Sequence, residues 1–204
     1  MRCYKACSNG SPRGPALNMV RVKKRWNQHA APRSLAQMAN AISSTIWKLA
    51  ADVVLNLENE NFETSTQGQR VDLLEELACY LVHYCDRWVY IRASQEQRGE
   101  FIDCLVRDMA RLLEDSRIDV QGSGSYQAAF IDKLNQRSAD YAEFSYSEDD
   151  GCSFAMRCRL GEKVQATMGA RDERWIPDYI VGREAPAVET ALQRSLTGLV
   201  RIEA

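Results

Sequence analysis

Four residues of one helix-forming stretch have side chains that can bind transition metals: Glu75, Cys79, His83 and Asp86. At 100° per residue they fall within about 80° of one another on a single helix face. A thiolate, an imidazole and a carboxylate on successive turns can ligate Zn²⁺ or a related ion if a neighbouring element adds a ligand. The spacing matches no established metal motif, so the competing interpretation is a solvated face or a contact with a second helix.

The same face also offers an acid–base pair, because His83 could act as a general base beside Asp86. The sequence positions no nucleophile near them, so the hypothesis of an enzyme rests on this acid–base pair alone. Gly122 and Gly124 stand in a turn with no preceding buried strand, which is not the context of a dinucleotide site. We therefore predict no cofactor, and we keep a metal-dependent enzyme built on the Cys79, His83 and Asp86 face as an alternative.

A passage near the C-terminus is rich in large side chains: Arg174, Trp175, Ile176 and Tyr179. Aromatic residues beside arginine have the composition of an interface anchor. The alternative is a lid that closes one end of a helical bundle, because an aromatic cluster is first of all buried area. The passage is therefore a candidate partner-binding surface.

Basic residues are concentrated at the N-terminus. Residues 1–51 contain nine Lys or Arg and no Asp or Glu, so the remaining 153 residues carry 17 basic and 28 acidic side chains, a net charge of −11. An acid-free basic stretch can contact nucleic acid, an acidic membrane surface or an acidic protein patch. The candidate nucleic-acid-binding residues are Arg21, Lys23, Lys24 and Arg25. The competing interpretations are a solvated extension and an organelle transit peptide.

The composition divides the chain into an arm and a body. Residues 1–33 combine Gly, Pro, Ser and basic residues with little hydrophobic periodicity, which predicts a flexible arm. Residues 34–204 are predicted to form one helical domain, because a chain of this length can bury a substantial core. The seven cysteines and the lack of an apolar signal sequence favour the reducing cytoplasm. No stretch approaches the ~18 consecutive apolar residues of a membrane span.

The elements that must position these residues are amphipathic helices. Three helix starts carry the capping-box pattern, in which Ser or Thr precedes Gln by three residues: Ser34 with Gln37, Thr66 with Gln69 and Ser94 with Gln97. Apolar residues recur at spacings of three and four after each of these starts. Further helices are predicted over 126–144 and 154–168, and a last one from Pro186.

The stretch from about 66 to 117 organises the rest of the chain. Its first half carries the stripe Leu74, Leu77, Leu81, Tyr84, Trp88 and Ile91, and its second half carries Phe101, Leu105, Met109 and Leu112. The short connection between the halves favours antiparallel neighbours. The predicted fold is an all-α bundle of five or six amphipathic helices around this antiparallel hairpin, with the flexible N-terminal arm.

The functional expectation is a non-catalytic helical module for protein binding or assembly. It would meet a protein partner, or a second copy of itself, through a helix face or through the passage around Trp175. The first alternative is nucleic-acid binding through the N-terminal arm. The second is the metal-dependent enzyme described above.

Overall fold

The computed structural model describes residues 33–169 and 174–201. Within these ranges the chain forms helices α1 (Leu35–Asn59), α2 (Gln67–Tyr90), α3 (Gln95–Gln121), α4 (Tyr126–Ala142) and α5 (Phe154–Met168), a single turn α6 (Ile176–Tyr179), a π-helical turn (Ile180–Glu184) and α7 (Ala185–Leu199). A short antiparallel ribbon, β1 (Tyr146–Ser147) with β2 (Gly151–Cys152), connects α4 to α5. The predicted all-α bundle is confirmed, with six helices of 15 residues or more in the described ranges.

The predicted N-terminal arm lies outside the described residues except for its last residue, Arg33, at which the described part of the chain begins. Its four candidate nucleic-acid contacts, Arg21, Lys23, Lys24 and Arg25, lie outside them as well. The arm and its role therefore stay predictions from the sequence.

Two of the three predicted capping boxes are complete. Ser34 Oγ accepts a hydrogen bond from Gln37 N at 3.2 Å, and Gln37 Oε1 accepts one from Ser34 N at 3.1 Å. Ser94 and Gln97 repeat this exchange at 3.2 and 3.0 Å at the start of α3. Each box satisfies two backbone N–H groups that have no acceptor within the first helical turn. The starts of α1 and α3 are therefore determined locally.

The third predicted box is only half formed, because the Gln69 side chain is used elsewhere. Thr66 Oγ1 accepts a hydrogen bond from Gln69 N at 3.1 Å, as predicted. Gln69 Oε1 accepts its hydrogen bond from Ser65 N instead of Thr66 N, and Gln69 Nε2 donates to the carbonyl oxygens of Thr167 and Met168 at 3.0 and 2.9 Å. The last carbonyl groups of a helix find no N–H donor within that helix. The Gln69 side chain supplies one for α5 and thereby connects the start of α2 to the end of α5.

The α2–α3 hairpin is antiparallel, as predicted, and residues 91–94 connect its two helices. Arg98 at the start of α3 pairs with Asp86 near the end of α2 at 2.7 Å. Arg117 near the end of α3 pairs with Glu75 near the start of α2 at 2.9 Å. The later residue of α2 pairs with the earlier residue of α3, and the earlier residue of α2 with the later residue of α3. This is the antiparallel arrangement, and the two ion pairs fix the register of the hairpin.

Helix α2 is central to the bundle and packs against α1, α3, α4, α5 and α7. Buried residues occur all around it and include the polar side chains of Glu75, Glu76 and His83. The amphipathic pattern leaves its second face open either to solvent or to another helix. The structure has helix contact there, because α3 and α4 cover this face and supply the counter-charges Arg117 and Arg137.

The core contains the predicted apolar stripes. Leu77, Leu81, Tyr84 and Trp88 of α2 are at most 5% exposed. A fully buried leucine contributes about 1.5–3 kcal/mol to stability through its removal from water. Ile91 was expected to extend the stripe, but it lies just beyond α2 and is 46% exposed. Among the described helices, none is long and apolar enough to cross a membrane.

A glycine in α5 allows α6 to pack closely against it. A Cβ atom added at Gly161 would lie 3.1 Å from Pro177 Cα and 3.3 Å from the Pro177 carbonyl oxygen. Helix propensity alone makes Gly161 a weak point, yet α5 continues without interruption from Phe154 to Met168. The residue is therefore explained by the close approach of α6.

Candidate functional site

A groove of about 510 Å³ lies between α2, α3 and α4. Helices α3 and α4 form its walls, and the C-terminal half of α2 forms its floor. Its apolar lining residues are Val82, Ile102, Val106, Ala110, Ile131 and Leu134. The volume lies within the ~300–1,000 Å³ range of ligand-binding clefts, so this groove is the primary candidate site.

Both walls of the groove are rows of residues four positions apart. The row on α3 is Arg98, Ile102, Val106 and Ala110, and the row on α4 is Gln127, Ile131 and Asn135. Residues four apart lie on the same face of a helix, so each wall presents a single ridge to the groove. Twelve residues of α3 rise by about 18 Å, which sets the length of the groove.

A bidentate ion pair occupies one end of the groove. Arg98 Nε and Nη2 donate hydrogen bonds to Asp86 Oδ1 and Oδ2, both at 2.7 Å. These hydrogen bonds are the largest cause that raises the pKa of the Arg98 guanidinium above its usual value. Both carboxylate oxygens of Asp86 are therefore engaged, and the pair holds the start of α3 against α2.

His83 lies in the floor of the groove and is 4% exposed. Burial is the largest cause that lowers its pKa, and the Arg87 guanidinium lowers it further, so the pKa is about 4 although Asp86 acts in the opposite direction. The ring is therefore neutral at pH 7. Arg87 Nε donates to His83 Nε2 at 3.3 Å. Because arginine only donates, the imidazole proton lies on Nδ1, which makes His83 a hydrogen-bond donor.

Two charged side chains on the rim form no ion pair. Asp103 and Arg107 lie one turn apart on α3, and their exposed side chains make no hydrogen bond or ion pair with any described residue. Asn135 and Ser138 on the α4 wall also lack a hydrogen-bond partner in the part of the chain that the structure describes. The rim therefore offers polar groups that a bound molecule can satisfy.

Buried ion pairs hold α2 to its neighbours beside the groove. Glu76 is 3% exposed and accepts hydrogen bonds from Arg137 Nε and Nη2 at 2.7 and 2.8 Å, while Lys133 Nζ lies 3.0 Å from Glu76 Oε1. Burial acts to raise the pKa of Glu76, but the hydrogen bonds from Arg137 and the charge of Lys133 leave it below its usual value. Each of these charges faces an opposite one, so we assign the cluster to helix register rather than to chemistry.

The four predicted metal ligands do not meet at one point. Glu75 pairs with Arg117, and Asp86 stands eleven residues further along α2, a rise of about 16 Å. Cys79 is fully buried, and this burial, with the charge of Glu76 in second place, raises its thiol pKa to about 12. Within residues 33–169 and 174–201, no group of three or more His, Cys, Asp and Glu side chains is arranged to hold a metal ion. The metal-dependent enzyme stays a prediction to which this geometry adds no support.

The aromatic passage is divided between core and solvent. Ile176 is 1% exposed, whereas Trp175 is 63% exposed and has the Arg174 guanidinium carbon 5.8 Å from its ring centroid. Tyr179 is half-buried, and its ring centroid lies 5.3 Å from that of Phe62. Ile176 and Tyr179 therefore pack onto the bundle, as the lid interpretation expects, while Arg174 and Trp175 stay exposed as a candidate contact.

A second groove, of about 450 Å³, lies among α1, α2 and α3. Leu55 and Val120 line it and are 55% and 40% exposed. Of the charged residues in its lining, Arg70 and Glu58 pair with each other at 2.5 Å, while the exposed Asp119 side chain forms no ion pair with a described residue. This groove therefore shows apolar surface without indicating what occupies it.

The wall residues Ile102, Val106, Ile131 and Asn135 are absent from the candidates that the sequence suggests. A signal is present, because rows four residues apart occur on two helices that a four-residue Gly/Ser connection joins. Such rows usually predict faces that pack against each other. In the structure these rows instead line an open groove, with Ile131 39% exposed.

Comparison with known proteins gives no match, whether with family models, with curated proteins or with solved structures. Function is therefore inferred from the geometry of the groove.

Proposed function

We propose that the protein is a non-catalytic protein-binding module whose partner docks in the groove between α2, α3 and α4. One observation carries the proposal: the groove joins apolar wall residues to the rim charges Asp103 and Arg107, which form no ion pair with any described residue. Protein interfaces combine an apolar centre with a polar rim in the same way. A docked partner would cover the floor and complete the rim.

A protein suits this groove better than a small molecule does. Asp103 and Arg107 lie exposed on the rim, so only a partner that extends beyond the cleft would cover both side chains fully. The walls extend for about 18 Å, the length of a secondary-structure element. Ile131, at 39% exposure, gives a partner an apolar anchor that can be removed from water without rearrangement of the fold.

The proposal is tested by partner capture followed by direct binding measurements. The baits are the full chain, the groove variant Ile131→Asp and the control Ile118→Asp, whose target residue is equally exposed at 40% but does not line the groove. A fourth bait, Trp175→Ser, tests the aromatic passage. Each captured protein is then purified, its Kd for all four baits is measured, and hydrogen exchange locates the protected segments.

The expected partner loses at least about tenfold in affinity for Ile131→Asp, the effect of placing a charge at an interface anchor, and keeps its affinity for Ile118→Asp. It is also expected to protect residues 98–110 and 127–138 from exchange. Equal affinity for both isoleucine variants would refute docking in the groove. Loss of affinity for Trp175→Ser alone would move the interface to the aromatic passage. Light scattering over a concentration series shows whether the partner is a second copy of the chain.

Nucleic-acid binding through the N-terminal arm is the second candidate function, and the charge of the sequence favours it. Residues 1–32 contain seven Lys or Arg and no Asp or Glu. If Arg21, Lys23, Lys24 and Arg25 contact phosphates, affinity falls steeply with added salt because counterions are released. Affinity for a duplex and for a single strand would be measured for the full chain and for a chain starting at Ser34. Equal affinities of the two chains would remove this candidate.

We also propose a reducing, cytoplasmic location. The described cysteines, Cys79, Cys85, Cys104, Cys152 and Cys158, are free thiols. Unpaired cysteines are typical of compartments where glutathione keeps thiols reduced. Localisation of a fluorescent fusion in cells that produce the protein naturally would test this, and recovery in a secreted fraction would contradict it.

A further inference from the structure

The groove has the backbone environment that suits an α-helix. Its walls are helices, whose backbone groups bond within each helix, and the β1–β2 ribbon is not part of its lining. A strand in the groove would leave many of its own N–H and C=O groups without partners against the apolar residues of the two walls, which costs free energy. A helix satisfies its backbone internally, and about 12 residues of helix span the α3 wall.

The apolar rows also suit the ridge of another helix. Ile102, Val106 and Ala110 repeat every four residues along α3. The grooves between rows of this spacing receive the i±3 rows of a second helix whose axis lies about 20° from that of α3. An occupant with apolar residues at positions i, i+3 or i+4, and i+7 would fill the floor while its polar face stays in water.

The rim charges link the direction of such a helix to the order of its own charges. Asp103 precedes Arg107 by one turn of α3. In a helix antiparallel to α3, the residue opposite Arg107 comes four positions before the residue opposite Asp103. Charge complementarity then requires an acidic residue followed four positions later by a basic one. This order also stabilises an isolated helix better than the reverse order, which a parallel occupant would need.

We infer that the partner contributes an amphipathic α-helix of about three turns that lies antiparallel to α3, with an acidic residue against Arg107 and a basic residue against Asp103. This inference rests on the proposed docking function. It names the class of partner as a segment with the pattern acidic-x-x-x-basic beside an apolar stripe.

A display selection with the full chain as bait tests the inference. The probe is a library of peptides of about 16 residues, with apolar residues fixed at helical spacing and the other positions randomised. The baits are the parent, the groove exchange Asp103→Arg with Arg107→Asp, and the matched exchange Arg111→Asp with Asp115→Arg on the same helix outside the groove lining. All three baits carry the same net charge.

Peptides enriched on the parent are expected to carry the acidic-x-x-x-basic pattern and to become helical when bound, as circular dichroism would detect. They are expected to bind the groove exchange about tenfold more weakly, because two attractive rim pairs become repulsive. The groove exchange should enrich the reversed pattern, and the matched exchange the parental one. Selection of one pattern by all three baits, or binding without helix formation, would overturn the inference.

The Ile131→Asp variant separates this inference from the proposed function. If a captured partner protein loses affinity for Ile131→Asp while no selected peptide does, the proposed docking in the groove is supported and the inference of a helical partner is refuted. If neither the partner nor the peptides depend on Ile131, both proposals fall. Ile131 is partly exposed, so the variant is expected to fold, and its circular dichroism spectrum would be compared with that of the parent.

Discussion

Two buried tyrosines in van der Waals reach of each other should respond in opposite ways to the same substitution. Tyr80 and Tyr141 are 1% and 0% exposed, and their ring centroids are 5.4 Å apart in an edge-to-face arrangement. The Tyr80 hydroxyl donates a hydrogen bond to Glu189 Oε1 at 2.5 Å. The buried Tyr141 hydroxyl has no hydrogen-bond partner among the described residues. Replacement by Phe removes one hydroxyl in each case and keeps the ring.

The magnitudes follow from the state of each hydroxyl. A hydrogen bond to a charged group contributes about 1.5–3 kcal/mol, and Glu189 keeps its two bonds from Arg157 in the variant. Tyr80→Phe should therefore lower the free energy of unfolding by about 2 kcal/mol. A buried polar group without a partner costs about 1–3 kcal/mol of desolvation. Tyr141→Phe should therefore raise the free energy of unfolding by about 1 kcal/mol.

Urea unfolding at pH 7, followed by far-ultraviolet circular dichroism, measures both changes on one scale. For a chain of this size, 1 kcal/mol corresponds to about 2–4 °C in Tm, so a thermal scan gives an independent reading. The reasoning is refuted if Tyr141→Phe destabilises the protein by 1 kcal/mol or more, because its hydroxyl would then be bonded. It is also refuted if Tyr80→Phe is neutral.

Three further predictions concern the ion pairs, the buried histidine and the glycines. Arg137→Met should lower the free energy of unfolding in urea by about 3 kcal/mol, because Glu76 loses its main counter-charge in the core. Adding Glu76→Leu should restore most of this free energy. A double variant as unstable as the single one would contradict this. Because the folded pKa of His83 is about 4 against an ordinary value near 6.5, the unfolded chain takes up the proton first, so stability should fall by about 3 kcal/mol as the pH drops from 6.5 to 4. His83→Gln should flatten this part of the pH profile, and an unchanged profile would refute the assignment. Gly161→Ala should destabilise the protein by about 1–3 kcal/mol because the added Cβ meets the backbone of α6. Gly198→Ala, whose Cβ enters open space, should stabilise the protein by up to about 1 kcal/mol. Changes in calorimetric Tm of the same sign for both variants would argue against this contact.

The helices were predictable from local sequence, because the interactions that start and align a helix act over a few residues. Ser34 and Ser94 cap their helices through groups three positions away, as their spacing with Gln predicts. The stripes at spacings of three and four identified the inward faces of the helices correctly. The short connection at 91–94 was sufficient to make α2 and α3 antiparallel neighbours. Each of these predictions needed only the local sequence.

Which polar faces are buried and which apolar rows stay open depends on how the helices pack against one another. Glu75 and Glu76 have the sequence pattern of a solvated face, and their burial depends on Arg117 and Arg137, which lie 42 and 61 residues further along the chain. The free energy of a buried charge depends on whether an opposite charge lies beside it in the fold. A local sequence pattern does not predict this when the opposite charge comes from a distant part of the chain. The groove likewise depends on how α3 and α4 pack over the floor formed by α2. This arrangement follows from the packing of all three helices and from no one of them.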